Sequence, residues 1–305
     1  MKIKREWSFL IIALVYILSG VVGVLTCLAT FHLGLWLSLL ISDVVATVVV
    51  FIFSIIFKNA SVYDPYWSVQ PLVIMLGFIA VNGLNLASAL LLVIVAIWSL
   101  RLSANWAYTF YGMEHQDWRY TMLKKSTGYF YPLINLVGIH LVPTLVVYLC
   151  TIPCAILIIQ KPAFDPVCLF GLALAIVGVV LEFVADIQMH IYKKHKTTAF
   201  IRLGIWKNSR HPNYLGEILF WWGVALYCIA NMPSLWYLYV GALANTVLFL
   251  CVSLPMAEDK QSKKEGFEAY ARETNLLSPF KKVVRERKRV QEAVTHSTEE
   301  QNEEK

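Results

Sequence analysis

Eight long apolar stretches constrain this chain more than any other feature, at about 8–29, 33–57, 69–82, 85–100, 132–159, 166–186, 214–231 and 233–254. A helix crosses the hydrocarbon core of a bilayer with about 20 mostly apolar residues, and each of these stretches approaches or reaches that length, the third least well. The expected fold is therefore all-α: a polytopic transmembrane helix bundle of about eight spans. Composition agrees, with 58% hydrophobic and only 15% charged residues, against about 25% charged in an ordinary soluble domain.

The loops check the span count independently, because Lys and Arg accumulate beside the cytoplasmic ends of membrane spans. With both termini cytoplasmic, every Lys and Arg except Lys161 falls on that side, which requires an even number of spans. The net charge of +6 then reflects insertion orientation and attraction to anionic membrane lipids, with no nucleic-acid partner needed. The first apolar run outlasts a secretory signal and has no small-x-small cleavage site, so it reads as the first span. All six cysteines fall within spans without C-x-x-C spacing, and the seven histidines are scattered, so neither a metal site nor a disulfide framework is expected.

Connections on the outer side are short, whereas segments 58–68, 101–131, 186–213 and 254–280 bring the polar residues together on the cytoplasmic face. Beyond Phe280 a basic run and an acidic, Ser/Thr/Gln/Glu-rich end have too little apolar surface to fold, so 281–305 reads as a disordered tail.

Ionisable groups inside a membrane are costly and mark candidate sites. Asp43 is one, open to a plain reading as an acid bonded to a neighbouring helix or to Ser42. Glu182 and Asp186, four apart, share one helix face, and His190 and Lys194 continue the stripe. Such a column suits ribose hydroxyls and phosphate, or equally a self-neutralising ladder. The segment 210–217, Arg-His-Pro-Asn-Tyr-Leu-Gly-Glu, sets Pro212 at a helix start, where its missing N–H costs nothing. A helix N-terminus flanked by Arg210 and His211 suits a phosphate or carboxylate; a plain helix start with an interfacial Arg/Tyr/Trp anchor fits the same residues.

That octapeptide resembles the signature of the steroid 5-alpha-reductase-like membrane family, which includes the sterol reductases. A related Arg-His-Pro-x-Tyr occurs in isoprenylcysteine carboxyl methyltransferases. Glu258, the run Phe267-Glu-Ala-Tyr270 and Ser278-Pro-Phe280 are similar to the C-terminal end of both groups. Tyr63-Asp-Pro-Tyr-Trp-Ser-Val-Gln-Pro71, Arg101-Leu-Ser-Ala-Asn-Trp106 and Asp117-Trp-Arg-Tyr120 resemble a largely bacterial branch with a reductase-like C-terminal region. The resemblance runs from about Lys58 to Phe280, dividing the chain into N-terminal helices (1–57), a reductase-like membrane domain (58–280) and the tail.

It implies a nicotinamide cofactor, NADPH or NADH, entering from the cytoplasm, and a lipophilic substrate arriving from the bilayer. Glu182, Asp186, Arg210, His211, Asn213, Tyr214 and Glu217 would line the cofactor site, Glu258 and Tyr270 would close it, and Arg101 and Asn105 would add phosphate or amide contacts. No Gln-Glu-x-Pro matches the acid of the eukaryotic steroid enzymes, so Asp64, paired with Tyr63 or Tyr66, is the expected proton donor; an Asp-Pro turn before an aromatic belt is its plain alternative. The expected activity is reduction of a carbon–carbon double bond, in a bacterial inner membrane or the endoplasmic reticulum. The alternative enzyme is a methyltransferase using S-adenosylmethionine, and a third reading is a lipid-binding or assembly protein.

Overall fold

The computed structural model describes residues 4–196 and 198–281. The expected tail lies outside them apart from Lys281. The described chain is helical throughout, with no strand beyond an isolated bridge between Ser209 and Asn275. In chain order the helices are α1 (Arg5–Thr30), α2 (Leu35–Ile56), α3 (Tyr66–Asn82), α4 (Leu86–Thr109), α5 (Trp118–Thr127), α6 (Tyr131–Ile134), α7 (Val142–Gln160), α8 (Cys168–Lys194), α9 (Pro212–Asn231), α10 (Val240–Leu248), α11 (Leu254–Ser262) and α12 (Phe267–Glu273).

Among the described residues, seven helical runs are long and apolar enough to cross a membrane: Arg5–Leu33, Leu35–Ile56, Ala60–Asn82, Leu86–Thr109, Trp118–Gln160, Cys168–Lys194 and Pro233–Ser262. The chain is an integral, multi-pass membrane helix bundle. The eighth expected stretch, 214–231, forms a 20-residue helix of its own, α9, one sheathed by protein: Glu217, Phe220, Trp221, Val224, Tyr227 and Cys228 are all buried along it. A helix screened from lipid by its neighbours can carry Asn213, Glu217 and Asn231 and need not be apolar all round.

Helices α8 and α9 lie nearly backbone to backbone. A methyl group added at Gly178 would stand 2.6 Å from the Gly216 carbonyl and the Phe220 amide nitrogen, and one at Gly171 would stand 2.8 Å from the Gly223 carbonyl. The relation is reciprocal, since a methyl at Gly216 or Gly223 would fall 2.7 Å from the carbonyl of Gly178 or Gly171. Small residues set about two turns apart on each helix allow this approach, which in lipid replaces the missing hydrophobic drive between helices with dispersion contact. Across the seam, α4 fills the remaining side. Trp98 is fully buried, stacks on Phe220 with centroids 5.1 Å apart, and meets Trp221 edge-on at 4.9 Å.

The N-terminal half is tied by hydroxyls. Ser42 Oγ donates to the Gly23 carbonyl at 2.6 Å and Ser19 Oγ to the Ala46 carbonyl at 2.8 Å, joining α1 to α2. Arg5 reaches across to the end of α4, donating to the carbonyls of Phe110 at 2.8 Å and Ala107 at 2.7 Å. Two π-helical turns, Asn135–Leu141 before α7 and Phe249–Ser253 before α11, each stop two residues short of a proline, Pro143 and Pro255. Proline cannot donate the bond that would close the preceding turn, and the wider turn takes up the slack.

Replacing Gly178 with Leu is expected to abolish the monodisperse detergent-solubilised peak in size-exclusion chromatography, whereas Gly20→Leu, at a position with nothing within 4 Å, should elute as wild type. Gly178→Ala should fold but lose about 1–3 kcal/mol, the usual cost of overpacking, read as a lower thermal midpoint.

Candidate functional site

The α8–α9 seam positions the first polar cluster. Gly216 leaves room for Glu182, whose side chain lies directly over it, and Glu182 and Glu217 stand close enough to feel each other's charge. Glu217 accepts from two indoles, Trp98 Nε1 at 3.0 Å and Trp221 Nε1 at 2.8 Å. On the other side stands Arg101 of α4, its side chain only 7% exposed. Its Nη1 donates to Asp186 Oδ2 at 2.6 Å, and its Nη2 lies 2.7 Å from Glu182 Oε2, an ionic contact off the line of a hydrogen bond. Its Nε is buried and has no hydrogen-bond partner. One turn further along both helices, His190 Nε2 and Asn105 Oδ1 meet at 2.8 Å.

The expected stripe on α8 is therefore real, and its partner is the stripe Trp98, Arg101 and Asn105 on α4. Glu182 and Asp186 are engaged by Arg101 of α4 and not by the rest of their own column, and Asp186, Asn105 and His190 remain only partly buried. Lys194, the last step of the stripe, is exposed.

A second cluster gathers at the start of α9, where Pro212 is the first helical residue. Arg210 Nε lies 3.0 Å from both Glu258 oxygens, its Nη2 is 2.8 Å from Oε2, and its Nη1 donates to the Thr274 carbonyl at 2.8 Å. His211 Nε2 contacts the same carboxylate at 2.7 Å. Backbone bonds from Arg210 N to the Asn275 carbonyl (2.9 Å) and from Asn275 N to the Asn208 carbonyl (2.7 Å) complete the clasp. Arg210, His211 and Glu258 thus bind one another and fasten α11 and α12 to the head of α9. Tyr214 stacks on His211, with centroids 5.3 Å apart and planes 15° from parallel, while Asn213 is half-buried beside it. Tyr270 lies flat on Phe200 at 4.5 Å, and burial pushes its hydroxyl up to about 12, so it stays neutral.

The third cluster corrects an expectation. The tyrosine bonded to Asp64 is Tyr120, whose hydroxyl donates to Oδ1 at 2.5 Å. Tyr63 turns inward, its hydroxyl 2.8 Å from Thr144 Oγ1, and Tyr66 reaches Ser19 at 3.5 Å. The reason is geometric. Asp64 lies in the turn before α3, which faces the loop, whereas Tyr63 and Tyr66 are buried against α1, α2 and α7. Beside the pair, Asp117 caps α5, and its Oδ1 accepts from Arg119 N and Nε, both at 2.8 Å. Burial works to raise the Asp117 carboxyl, but Arg119 outweighs it and holds the group below the ordinary range. Tyr214 feels both Arg119 and Asp117, and Lys260 of α11 sits 3.8 Å over the Trp118 ring, so the second and third clusters adjoin.

Tyr120 received no role from sequence because it lies 56 residues from Asp64, with nothing local to link them. The α4 stripe was more accessible, since Trp98, Arg101 and Asn105 follow helical spacing. Among the described residues no group of three or more His, Cys, Asp or Glu side chains is arranged to hold a metal ion.

The helices and their buried polar seams define the class: an integral membrane protein with its ionisable side chains collected where α4, α5, α8, α9 and α11 meet. The chain belongs to the family described as "Protein of unknown function (DUF1295)", whose model matches residues 50–274. It is similar to "Uncharacterized protein C594.04c" of Schizosaccharomyces pombe, with 28% identity over 233 residues, covering 67% of this chain and 66% of that protein. No solved structure matches.

Arg101→Leu strips the counter-charge from the buried Glu182 and the partly buried Asp186, and breaking a buried pair in this way costs about 3–5 kcal/mol. The expected outcome is a large fall in the thermal midpoint in detergent, partly recovered in the triple variant Arg101→Leu, Glu182→Leu, Asp186→Leu.

Proposed function

We propose that this chain is a membrane-embedded, NAD(P)H-dependent reductase of a carbon–carbon double bond in a lipophilic substrate. The observation that carries the reading is the hydrogen bond between Tyr120 and Asp64, a tyrosine–carboxyl pair flanked by Arg119 and Asp117. The resemblance of 210–217 and of the segments around Asp64 and Asp117 to the steroid 5-alpha-reductase-like family supports it. By the distribution of Lys and Arg, this end of the bundle faces the cytoplasm, in a bacterial inner membrane or the endoplasmic reticulum.

The residues present suit a dinucleotide in a redistributed form. Asp186, Asn105 and His190 are partly exposed and offer acceptors and donors for ribose and amide groups, and Asn213 and Tyr214 stand at a helix N-terminus suited to phosphate. The buried, unpartnered Nε of Arg101 marks the same seam as polar beyond its internal needs. Arg210, His211, Glu217 and Glu258 position these groups and are themselves occupied. The cofactor, when bound, supplies the hydride to the β-carbon of a polarised double bond.

This chain's own part is the proton. As the new C–H bond leaves an electron pair on the α-carbon side, the Tyr120 hydroxyl turns from Asp64 Oδ1 to that carbon and gives it its proton, breaking O–H and forming the second C–H bond. Asp64, in its protonated form, then passes a proton to the phenolate oxygen, and solvent at the loop face restores the Asp64 proton. General acid catalysis of this kind contributes about 10²–10⁴ in rate.

Purified protein in detergent should bind NADPH or NADH saturably, seen as energy transfer from tryptophan to the nicotinamide, and Asp186→Ala should weaken binding at least about tenfold, a loss of ~1.4 kcal/mol. Tyr120→Phe should leave that affinity intact while lowering turnover of a panel of lipophilic enones by about 10². Saturable binding of S-adenosylmethionine with none of the dinucleotide would replace this reading with the methyltransferase.

A further inference from the structure

Away from these clusters, a polar seam runs through the junction of α2, α3 and the π-helical turn Asn135–Leu141. Asp43, Thr47 and Ser54 lie along the inner side of α2, all buried. Asp43 accepts from Gln70 of α3. Thr47 Oγ1 meets Thr144 Oγ1 at 3.1 Å, and Thr144 in turn meets the Tyr63 hydroxyl at 2.8 Å. Asn135 Nδ2 donates to Ser54 Oγ at 3.2 Å.

Three side-chain atoms along this seam are buried without a hydrogen-bond partner: Asn135 Oδ1 and His140 Nε2 toward its Ser54 end, and Gln70 Oε1 beside Asp43 at the other. Their residues are 1%, 0% and 6% exposed. All three are acceptors. The amide oxygens can only accept. The imidazole assignment follows from its other nitrogen, because His140 Nδ1 lies 2.9 Å from the Asn135 carbonyl, which has no proton to give. Nδ1 therefore donates, and in the neutral ring Nε2 presents its lone pair. The ring is held in place, edge-on to Phe51 at 5.5 Å and against Tyr63 at 4.6 Å.

A buried polar group without a partner is costly and is seldom retained without a use. This seam is short of donors and is surrounded by hydroxyls that can pass a bond onward, with Thr144 one turn from His140. A ketone or ester offers only acceptors and would leave all three atoms unpaired. A hydroxyl donates one hydrogen bond and accepts another. We propose that this junction is a binding site for the hydroxyl of a lipophilic alcohol, with His140 Nε2 as its principal acceptor. π-Helical turns of this kind concentrate at functional sites, and here the turn is what carries both Asn135 and His140 into the seam.

The proposal stands apart from the reductase reading, and its test contains no dinucleotide. Purified full-length protein in detergent is titrated with farnesol and, separately, with farnesyl methyl ether, which has the same chain and oxygen but no O–H donor. Thermal stabilisation should saturate with farnesol and be at least tenfold weaker with the ether. His140→Phe, which keeps the ring contacts but gives up the bond from Nδ1 to the Asn135 carbonyl, should still elute as a folded protein and lose at least tenfold in farnesol affinity, and His140→Gln, which restores an acceptor, should regain part of it. Equal responses to alcohol and ether, or no response to either, would overturn the proposal, the second meaning that water alone serves these atoms. Unchanged farnesol affinity in folded His140→Phe would equally overturn it. The alcohol–ether contrast on the wild-type protein decides the matter even where a variant misfolds.

Discussion

The close approach of α8 and α9 is the constraint on which the polar architecture depends. In lipid, apolar side chains gain little by leaving hydrocarbon for protein, so helices adhere through dispersion and hydrogen bonds that need short distances. Gly171, Gly178, Gly216 and Gly223 supply those distances by removing side chains from both faces of the contact. The same absence at Gly216 admits the Glu182 side chain, and so brings it to Glu217. Two indoles and a guanidinium from α4 and α9 then become obligatory, because carboxyls at that depth need partners. Packing and polarity are here one arrangement: the glycines draw the acids together, and the acids fix where α4 must lie.

Several residues expected to face a ligand instead hold the protein to itself. Arg210, His211 and Glu258 knit three C-terminal elements, and Arg101 is divided between Glu182 and Asp186. A buried arginine with two carboxylates is weak evidence for stability on its own, since desolvation offsets much of the attraction. It does fix geometry, and fixed geometry matters where a partly exposed rim must be presented in register. Asp186, Asn105 and His190 form that rim; the buried residues behind them keep it in place.

Much of this was legible in the sequence. Apolar length gave seven of the spans because lipid imposes that length on any helix crossing it. Helical spacing put Glu182, Asp186 and His190 on one face, and Pro212 announced the start of α9 by its missing N–H. The eighth expected stretch also forms a helix, α9, but its sheathing by its neighbours is set by packing that apolar length does not carry. Tyr120 escaped for a different reason: a hydrogen bond between a turn and a distant helix leaves no periodic trace. The unpaired acceptors at Gln70, Asn135 and His140 were likewise invisible, since each looks ordinary until the burial of its atoms and the place of its partners are known.

By itself the sequence determined that this chain lives in a membrane as a bundle of helices and that its charges gather at one end, because the hydrophobic effect and the cost of burying charge act through composition and period alone. The tertiary structure decided which of those charges are used up by one another, which tyrosine meets Asp64, and where polar atoms remain unpaired. Those outcomes depend on distances of about 3 Å between residues far apart in the chain, the range over which a hydrogen bond forms or fails.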